Sequence, residues 1–229
     1  MGYGEIIELG RHRLMCGDAT CREDVMRLVD GEGVDLVLTD PPYGISVVDP
    51  KTKKVGGQGH RYAPVIGDNG TAMMREHWQI LRLVSLRHII WGGQNFTDFL
   101  PVSSGWIFWD KDKCTDKLSF SDGELAYTDC MRRIKKYVQK WNGSLGKCNP
   151  LNGYHHPTQK PVELHAKILE DFTQPDDVIL DCFGGSGTTL IACEITGRKC
   201  LMMEISPEYC GIIRERYEKL TAEGLPLEN

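Results

Sequence analysis

No run of apolar residues in this chain approaches the length of about 20 needed to cross a bilayer, and no basic-then-apolar leader opens it. A cytoplasmic protein without a membrane partner is the expectation. The nine cysteines include no C-x-x-C pair and are odd in number. That excludes a zinc ligand set of the usual spacing and a secreted disulfide framework, so each cysteine reads as a small buried hydrophobe. None of them follows a proline. Excess positive charge is missing as well: 27 Lys and Arg stand against 32 Asp and Glu, a net charge of −5. A protein that coats nucleic acid by bulk attraction is thereby excluded, and any such contact must be local. There is no internal repeat and no low-complexity tract.

What is present is 229 residues, 41% hydrophobic and 26% charged, the size and composition of a single domain spanning residues 1–229. Strand-like and helix-like segments alternate, which predicts an α/β fold with a mainly parallel sheet covered on both faces. Thr20-Cys21-Arg22-Glu23 has the form of a capping box for a helix through Val29. Val34 to Leu38 reads as a buried strand stopped by Pro41-Pro42. Residues 44–70, rich in Gly, Pro, Lys and Asp, suggest a long mobile loop of the kind that forms lids. Arg87 to Trp91 and Gly105 to Asp110 read as strands, and the apolar run Trp106-Ile107-Phe108-Trp109 suits a central one. A proline-started helix over 161–172, a strand over 178–182, a helix from Ser186, a strand over 199–204 and a last helix from Pro207 to about Leu220 complete the pattern.

Between 130 and 150 lies the local exception to the acidic balance. Arg132, Arg133, Lys135, Lys136, Lys140 and Lys147 occur there with Tyr137 and Trp141, and no acid falls between 130 and 147. The stretch suits phosphate contact and suits equally a solvated loop or helix face.

Two motifs carry chemistry. Asp181-Cys182-Phe183-Gly184-Gly185-Ser186-Gly187-Thr188 joins a strand to a helix. Its glycines allow a sharp turn and close approach of a ligand to the main chain near a helix N-terminus. Glu204, closing the next strand, stands at the spacing of an acid that binds ribose hydroxyls, so the pair reads as a nucleoside pocket. Such loops also simply turn chains. The Gly-Lys-Ser/Thr ending of a phosphate-gripping P-loop is absent.

Asp40-Pro41-Pro42-Tyr43 falls at the C-terminal end of another strand, where open parallel sheets bind ligands. An exocyclic base amine is a weak nucleophile because its lone pair is delocalised into the ring. The Asp40 carboxylate and the Pro41 carbonyl, accepting its two N–H bonds, would draw the nitrogen toward tetrahedral geometry and free that pair for a methylsulfonium. Pro42 stiffens the turn, and Tyr43 can stack on an extruded base. The transfer needs no metal.

At these residues the chain resembles the amino-methyltransferases that modify adenine N6 or cytosine N4 in DNA. Gly17-Asp18-Ala19 is similar to the segment that holds the adenine of S-adenosylmethionine, Asp40 to Tyr43 to the catalytic motif, and Phe183-Gly184-Gly185-Ser186-Gly187 to the F-x-G-x-G cofactor loop. His156-Pro157-Thr158-Gln159-Lys160-Pro161 resembles the segment that helps hold the methionine part. The catalytic motif precedes the cofactor loop, the order of the beta group, a cyclic permutation of the usual chain. Ile90 to Phe96 and Phe120 to Leu125 resemble small members carried by phages and prophages, which implies a bacterial or phage-infected cell.

The resemblance implies a Rossmann-like S-adenosylmethionine-dependent methyltransferase fold, with a mainly parallel seven-stranded sheet in which the strands bearing Asp40 and the glycine loop are neighbours. It implies S-adenosyl-L-methionine as methyl donor, S-adenosyl-L-homocysteine as product, no metal, and DNA as partner; a homodimer stays open. Asp18 and Ala19 would meet the adenine and Glu204 the ribose. Asp40, Asp181, the Phe183 to Thr188 loop, His156, Thr158, Gln159 and Lys160 would complete the cofactor site, and Arg132, Arg133, Lys135, Lys136 and Lys140 would grip phosphates. The region between Glu124 and His156 is far shorter than the target-recognition part of restriction-system members.

Cytosine-C5 chemistry needs a cysteine, ordinarily after a proline, and is set aside. Asp at the first position of the motif resembles adenine enzymes, where Ser is more usual for cytosine N4, so adenine N6 is the expected target and cytosine N4 the alternative. RNA bases and a glutamine amide are disfavoured by the 156–161 segment. A non-enzymatic DNA-binding or assembly subunit of the same fold would show eroded site residues, and Asp18, Asp40, Tyr43, Asp181, Gly185, Gly187 and Glu204 are intact.

Overall fold

The computed structural model describes residues 1–44, 70–112, 121–140 and 159–223. Most of the expected 44–70 loop, the 141–150 part of the basic stretch, His156 and Thr158 lie outside the described residues. Nine strands form one sheet: β1 Ile6–Leu9, β2 His12–Cys16, β3 Leu36–Thr39, β4 His88–Trp91, β5 Trp106–Asp110, β6 Gly123–Thr128, β7 Ile134–Val138, β8 Val178–Asp181 and β9 Lys199–Glu204. Among the described residues five α-helices accompany them: α1 Arg22–Val29, α2 Ala72–Val84, α3 Val162–Phe172, α4 Thr188–Thr196 and α5 Pro207–Glu223. The strand order is β1-β2-β9-β8-β3-β4-β6-β5-β7.

All strands but β1 and β6 run in one direction. The C-terminal ends of β2, β9, β8, β3 and β4 therefore open on one edge of the sheet, and antiparallel β6 starts at that same edge. Strand side chains alternate between the faces. Leu14, Leu36, Leu38, Ile89, Trp91 and Met202 pack on one face with residues of α3, α4 and α5. Met15, Val37, Ile90, Leu180, Leu201 and Met203 pack on the other with residues of α1 and α2. In α2, Met74, His77, Trp78 and Leu81 recur at helical spacing and are all buried. Among the described residues no helix is long and apolar enough to cross a membrane.

Four expectations need correction. The sheet has nine strands rather than seven, because β1 adds an antiparallel hairpin partner to β2 and β7 extends the far edge. The capping box does not form: Cys21 is the N-cap of α1 and makes no side-chain capping bond. Thr20 turns its backbone N–H and its hydroxyl to Asp18 Oδ1 instead, at 2.8 and 2.7 Å. The Trp106 to Trp109 run is not central but lies one strand in from the edge, with Ile107 and Trp109 buried and Trp106 and Phe108 half-buried. The basic stretch is neither loop nor helix over Ile134–Val138 but the edge strand β7, which leaves Ile134 70% and Val138 51% exposed and buries Tyr137.

Candidate active site

The site is assembled where parallel strands end. Asp40 follows β3, and Asp181 closes β8, the neighbouring strand, in parallel register. One direct bond ties the two motifs: Thr39 Oγ1 donates to Asp181 Oδ1 at 2.8 Å. Asp181 also accepts from the Phe183 N–H at 3.1 Å and from Thr189 Oγ1 at 2.6 Å, so it braces the glycine loop from below. Burial pushes its carboxyl up to about 6, against the pull of these donors.

The loop turns on glycines that need left-handed backbone, Gly185 with φ 52° and Gly187 with φ 86°. Gly187 is the N-cap of α4. Glu204, at the end of β9, accepts the Gly185 N–H on Oε2 at 2.7 Å and the Ser206 N–H on Oε1 at 2.8 Å. Burial raises it to about 7 in spite of those bonds. The Gly17 N–H donates to the Glu204 carbonyl at 3.1 Å, which brings Asp18 and Ala19, just beyond β2, beside the β9 acid. Strand ends thus gather Asp18, Asp181 and Glu204 around a glycine loop without a lysine. That set of acceptors fits a ligand bearing hydroxyls and positive charge better than it fits a polyphosphate. Among the described residues no group of three His, Cys, Asp or Glu is placed to hold a metal ion.

Three supports went unread in the sequence. His77, from α2, is fully buried, pairs Nδ1 with the Ala19 carbonyl at 2.7 Å and meets the Phe183 ring edge to face, with centroids 5.0 Å apart. Burial lowers it to about 4, so it is neutral at ordinary pH and Nδ1 carries the proton that it donates. His165, from α3, is held near 3 by burial and the nearby Lys160 charge. With Thr189 donating to Asp181, His165 Nδ1–H donates to Thr189 Oγ1 at 3.1 Å, and Nε2 accepts the Trp91 indole N–H at 3.1 Å. Arg216, from α5, donates to the Ser186 carbonyl and reaches Ser186 Oγ at 3.2 Å. No helix is predicted over 72–84 from the sequence, and the helical spacing of α2 and α3 does not itself say which polar member faces a loop.

The 159–160 segment crosses between the motifs. Gln159 Oε1 accepts from Ser186 Oγ at 3.0 Å, beside the glycine loop. Lys160 joins it through its main chain only. Its carbonyl accepts from Thr188 Oγ1 at 3.2 Å, while its buried ammonium donates to Asp40 Oδ2 at 2.6 Å and lies 3.3 Å from the Tyr43 hydroxyl. A four-carbon stem lets the charge reach the neighbouring strand end, where the carboxylate attracts it. Tyr43 donates its hydroxyl to Asp40 Oδ1 at 2.6 Å, and its ring packs over Gly92 and near Phe96. Asp40 is raised by burial, with Lys160 opposing. Pro41 is buried and Pro42 half-buried between them.

The expected phosphate-binding residues are not alike. Lys135 pairs with Asp171 at 2.6 Å and Lys136 with Asp110 at 2.7 Å, so both already hold acids of this chain. Arg132 and Arg133 precede β7 at the sheet edge opposite the site, whereas Lys140 follows β7 at the edge where β3 and β4 end.

A family model for N6/N4 methyltransferases, described as "DNA methylase", matches residues 90–215, more than half of the chain. The chain belongs to that family of DNA amino-methyltransferases. Among relatives of this methyltransferase, the type II methyltransferase M.HpaI of Haemophilus parainfluenzae is 24% identical over 237 residues, covering 90% of this chain and 74% of its own. The crystal structure of the M1.HpyAVI–SAM complex is similar with TM-score 0.54 and 21% identity, covering 89% of this chain and 98% of that one. The PvuII DNA methyltransferase, named as cytosine-N4-specific, is similar with TM-score 0.59 and 16% identity, covering 91% and 89%. The methyltransferase fold is thus common to all three structures, the nine-stranded sheet described above included as this chain's version of it.

Proposed function

We propose that this methyltransferase moves a methyl group from S-adenosyl-L-methionine to the N6 amine of adenine in DNA. The observation that carries the reading is the joining of the two motifs at one sheet edge, through the bond from Thr39 to Asp181. Adenine is favoured over cytosine N4 by Asp40 at the first position of the motif; the likeness to a cytosine-N4-specific fold is what keeps the second base in view.

When bound, S-adenosylmethionine supplies a methyl group activated on sulfonium sulfur and leaves as S-adenosylhomocysteine. Glu204 would accept from its ribose hydroxyls, Asp18 and Ala19 would meet its adenine, and Asp181, Phe183 to Thr188 and Gln159 would hold its methionine end, with His156 and Thr158 of the preceding segment. Asp40 would accept one N–H of the target amine and the Pro41 carbonyl the other, so that the nitrogen lone pair turns toward the methyl. The nitrogen that gains a methyl loses one proton, which passes to Asp40 and then to water. Tyr43 would stack on the extruded base, and Pro42 would keep the turn rigid. Arg132, Arg133 and Lys140 would bind phosphates, with Lys135 and Lys136 contributing less.

Asp40→Ala should abolish transfer and leave S-adenosylmethionine binding largely intact. Transfer at the parent rate by the alanine variant overturns the mechanism. Sequencing genomic DNA from a methylation-free host that expresses the chain, with detection of modified bases, reads out the base directly, and modified cytosine in place of modified adenine would reverse the choice of target.

A further inference from the structure

Behind the Asp40 carboxylate stands a row of alternating charges that the transfer does not itself require. Lys160 Nζ lies 2.6 Å from Asp40 Oδ2 and 3.0 Å from Glu124 Oε2, and Lys111 Nζ lies 2.7 Å from Glu124 Oε1. Glu124 reaches this place because β6 runs antiparallel and so begins at the edge where β3 and β4 end. Lys111 follows the last residue of β5, whose Asp110 pairs with Gly123. Aromatic faces wall the row: Lys160 lies 5.2 Å from the Trp91 ring centroid and 5.8 Å from that of Tyr43, and Lys111 lies 5.0 Å from that of Trp109.

Two carboxylates and two ammonium groups cancel in charge, yet ion clusters removed from water seldom stabilise a fold better than apolar packing would. Their arrangement suits a task at Asp40. Among the described residues, Oδ2 is occupied by the ammonium and Oδ1 holds the Tyr43 hydroxyl, a partner on a side chain that a stacked base would engage. We propose that Lys160 and Glu124 are positioning residues of opposed effect: Lys160 clamps Asp40 by Oδ2 and leaves Oδ1 for the target amine, while Glu124 anchors the ammonium and tempers its pull on that carboxylate. The proposal rests on the reading of Asp40 as acceptor of the amine.

The groups facing Asp40 are Lys160, Glu124, Tyr43 and, across the strand spacing, Asp181. Lys160 favours the ionised carboxylate, whereas Glu124 disfavours it. Tyr43 is held well above its ordinary value, by burial first and then by Asp40, and stays protonated. Glu124 itself is held down at about 2, because Lys160 and Lys111 together outweigh its burial. The two supports must therefore act on Asp40 with opposite sign.

The test is the pH dependence of the single-turnover transfer rate in the parent, Lys160→Met and Glu124→Gln, with heat of S-adenosylmethionine binding measured for each. The acid limb should move to higher pH in Lys160→Met, so that rate lost on the acid side returns as pH is raised, and should move to lower pH in Glu124→Gln. Titration of Asp181 is common to all three proteins and cancels in the comparison. Lys111→Met, altering a residue at the outer end of the row, should shift the limb in the same direction as Lys160→Met but by less. Limbs that stay together, or move the same way in Lys160→Met and Glu124→Gln, overturn the proposal, as does loss of cofactor binding with no displacement of either limb. Asp40→Ala is run beside them: transfer by that variant sinks the active-site reading, whereas an essential Asp40 with undisplaced limbs sinks only the opposed pair.

Discussion

Gly92→Ala should slow methyl transfer by ~10- to 100-fold while cofactor affinity stays at the parent level. Gly92 follows β4 with φ 67°, a left-handed conformation that a side chain makes costly, and it forms the floor on which the Tyr43 ring rests. An alanine Cβ would stand 2.1 Å from Tyr43 Cε1, where ordinary contact begins at 3.4 Å, so the ring must retreat by more than an ångström. Two magnitudes follow. Backbone strain of this kind costs about 1–3 kcal/mol, which at ~2–4 °C per kcal/mol for a chain of this size lowers the melting temperature by several degrees. A ring out of place forfeits base stacking, worth ~1–3 kcal/mol per base, and that sets the expected loss of rate. The cofactor loop belongs to β8 and β9, on the other side of β3, so its ligand should not register the change. The assay is single-turnover transfer to duplex DNA below the melting transition, beside calorimetric titration with S-adenosylmethionine. Parent-rate transfer by a folded Gly92→Ala protein would refute the claim that Tyr43 works from the position seen here.

The remaining predictions concern the supports of the site. S-adenosylmethionine affinity should fall as pH drops through about 7, because only ionised Glu204 is a full acceptor and burial holds it near that value; Glu204→Gln should flatten the dependence and weaken binding by ~10- to 100-fold, and an unchanged pH profile in the variant would exclude Glu204 as its source. Thr39→Val removes a donor to Asp181, whose folded value, raised to about 6, means that its contribution to stability is present at acid pH and is lost as pH rises toward that value. The lost bond favoured the carboxylate, so the deficit of about 1–3 kcal/mol should be full above pH 7 and shrink toward pH 4, as thermal melts across pH would show. In DNA-binding titrations, alanine at Arg132, Arg133 or Lys140 should each reduce the slope of log affinity against log salt by about 1. Lys135→Ala and Lys136→Ala should reduce it less, since Asp171 and Asp110 already neutralise those ammonium groups.

How far the sequence could be read depended on where its residues are buried. The strand over 199–204 was legible because its apolar run lies between glycine and proline signals and is buried on both faces, and the helix begun by Pro161 because a proline opens a segment whose buried residues, Val162, Leu164, His165, Ile168 and Leu169, recur at helical spacing. Edge strand β7 was not, because Ile134, Lys136 and Val138 face outward and only Tyr137 is buried, so its composition resembles that of a solvated loop. The α1 start was misread because Asp18 Oδ1 accepts both the Thr20 N–H that Glu23 would take in a capping box and the Thr20 hydroxyl, and the helix starts one residue later, with Cys21 as N-cap.

The order and types of residues in Asp40 to Tyr43 and Asp181 to Thr188 by themselves determined the chemistry on offer: a carboxylate, a rigid carbonyl and a ring on one side, a glycine cradle on the other. Which charges would meet across the gap was decided only by the sheet. Lys160 belongs in sequence to the segment next to the cofactor loop, yet its ammonium sits on Asp40, and Glu124, in neither of the two chemical motifs, sits behind it. Strand order and the reversed direction of β6 place those groups within hydrogen-bonding reach, and a pairing through space leaves no periodicity along the chain from which it could be read.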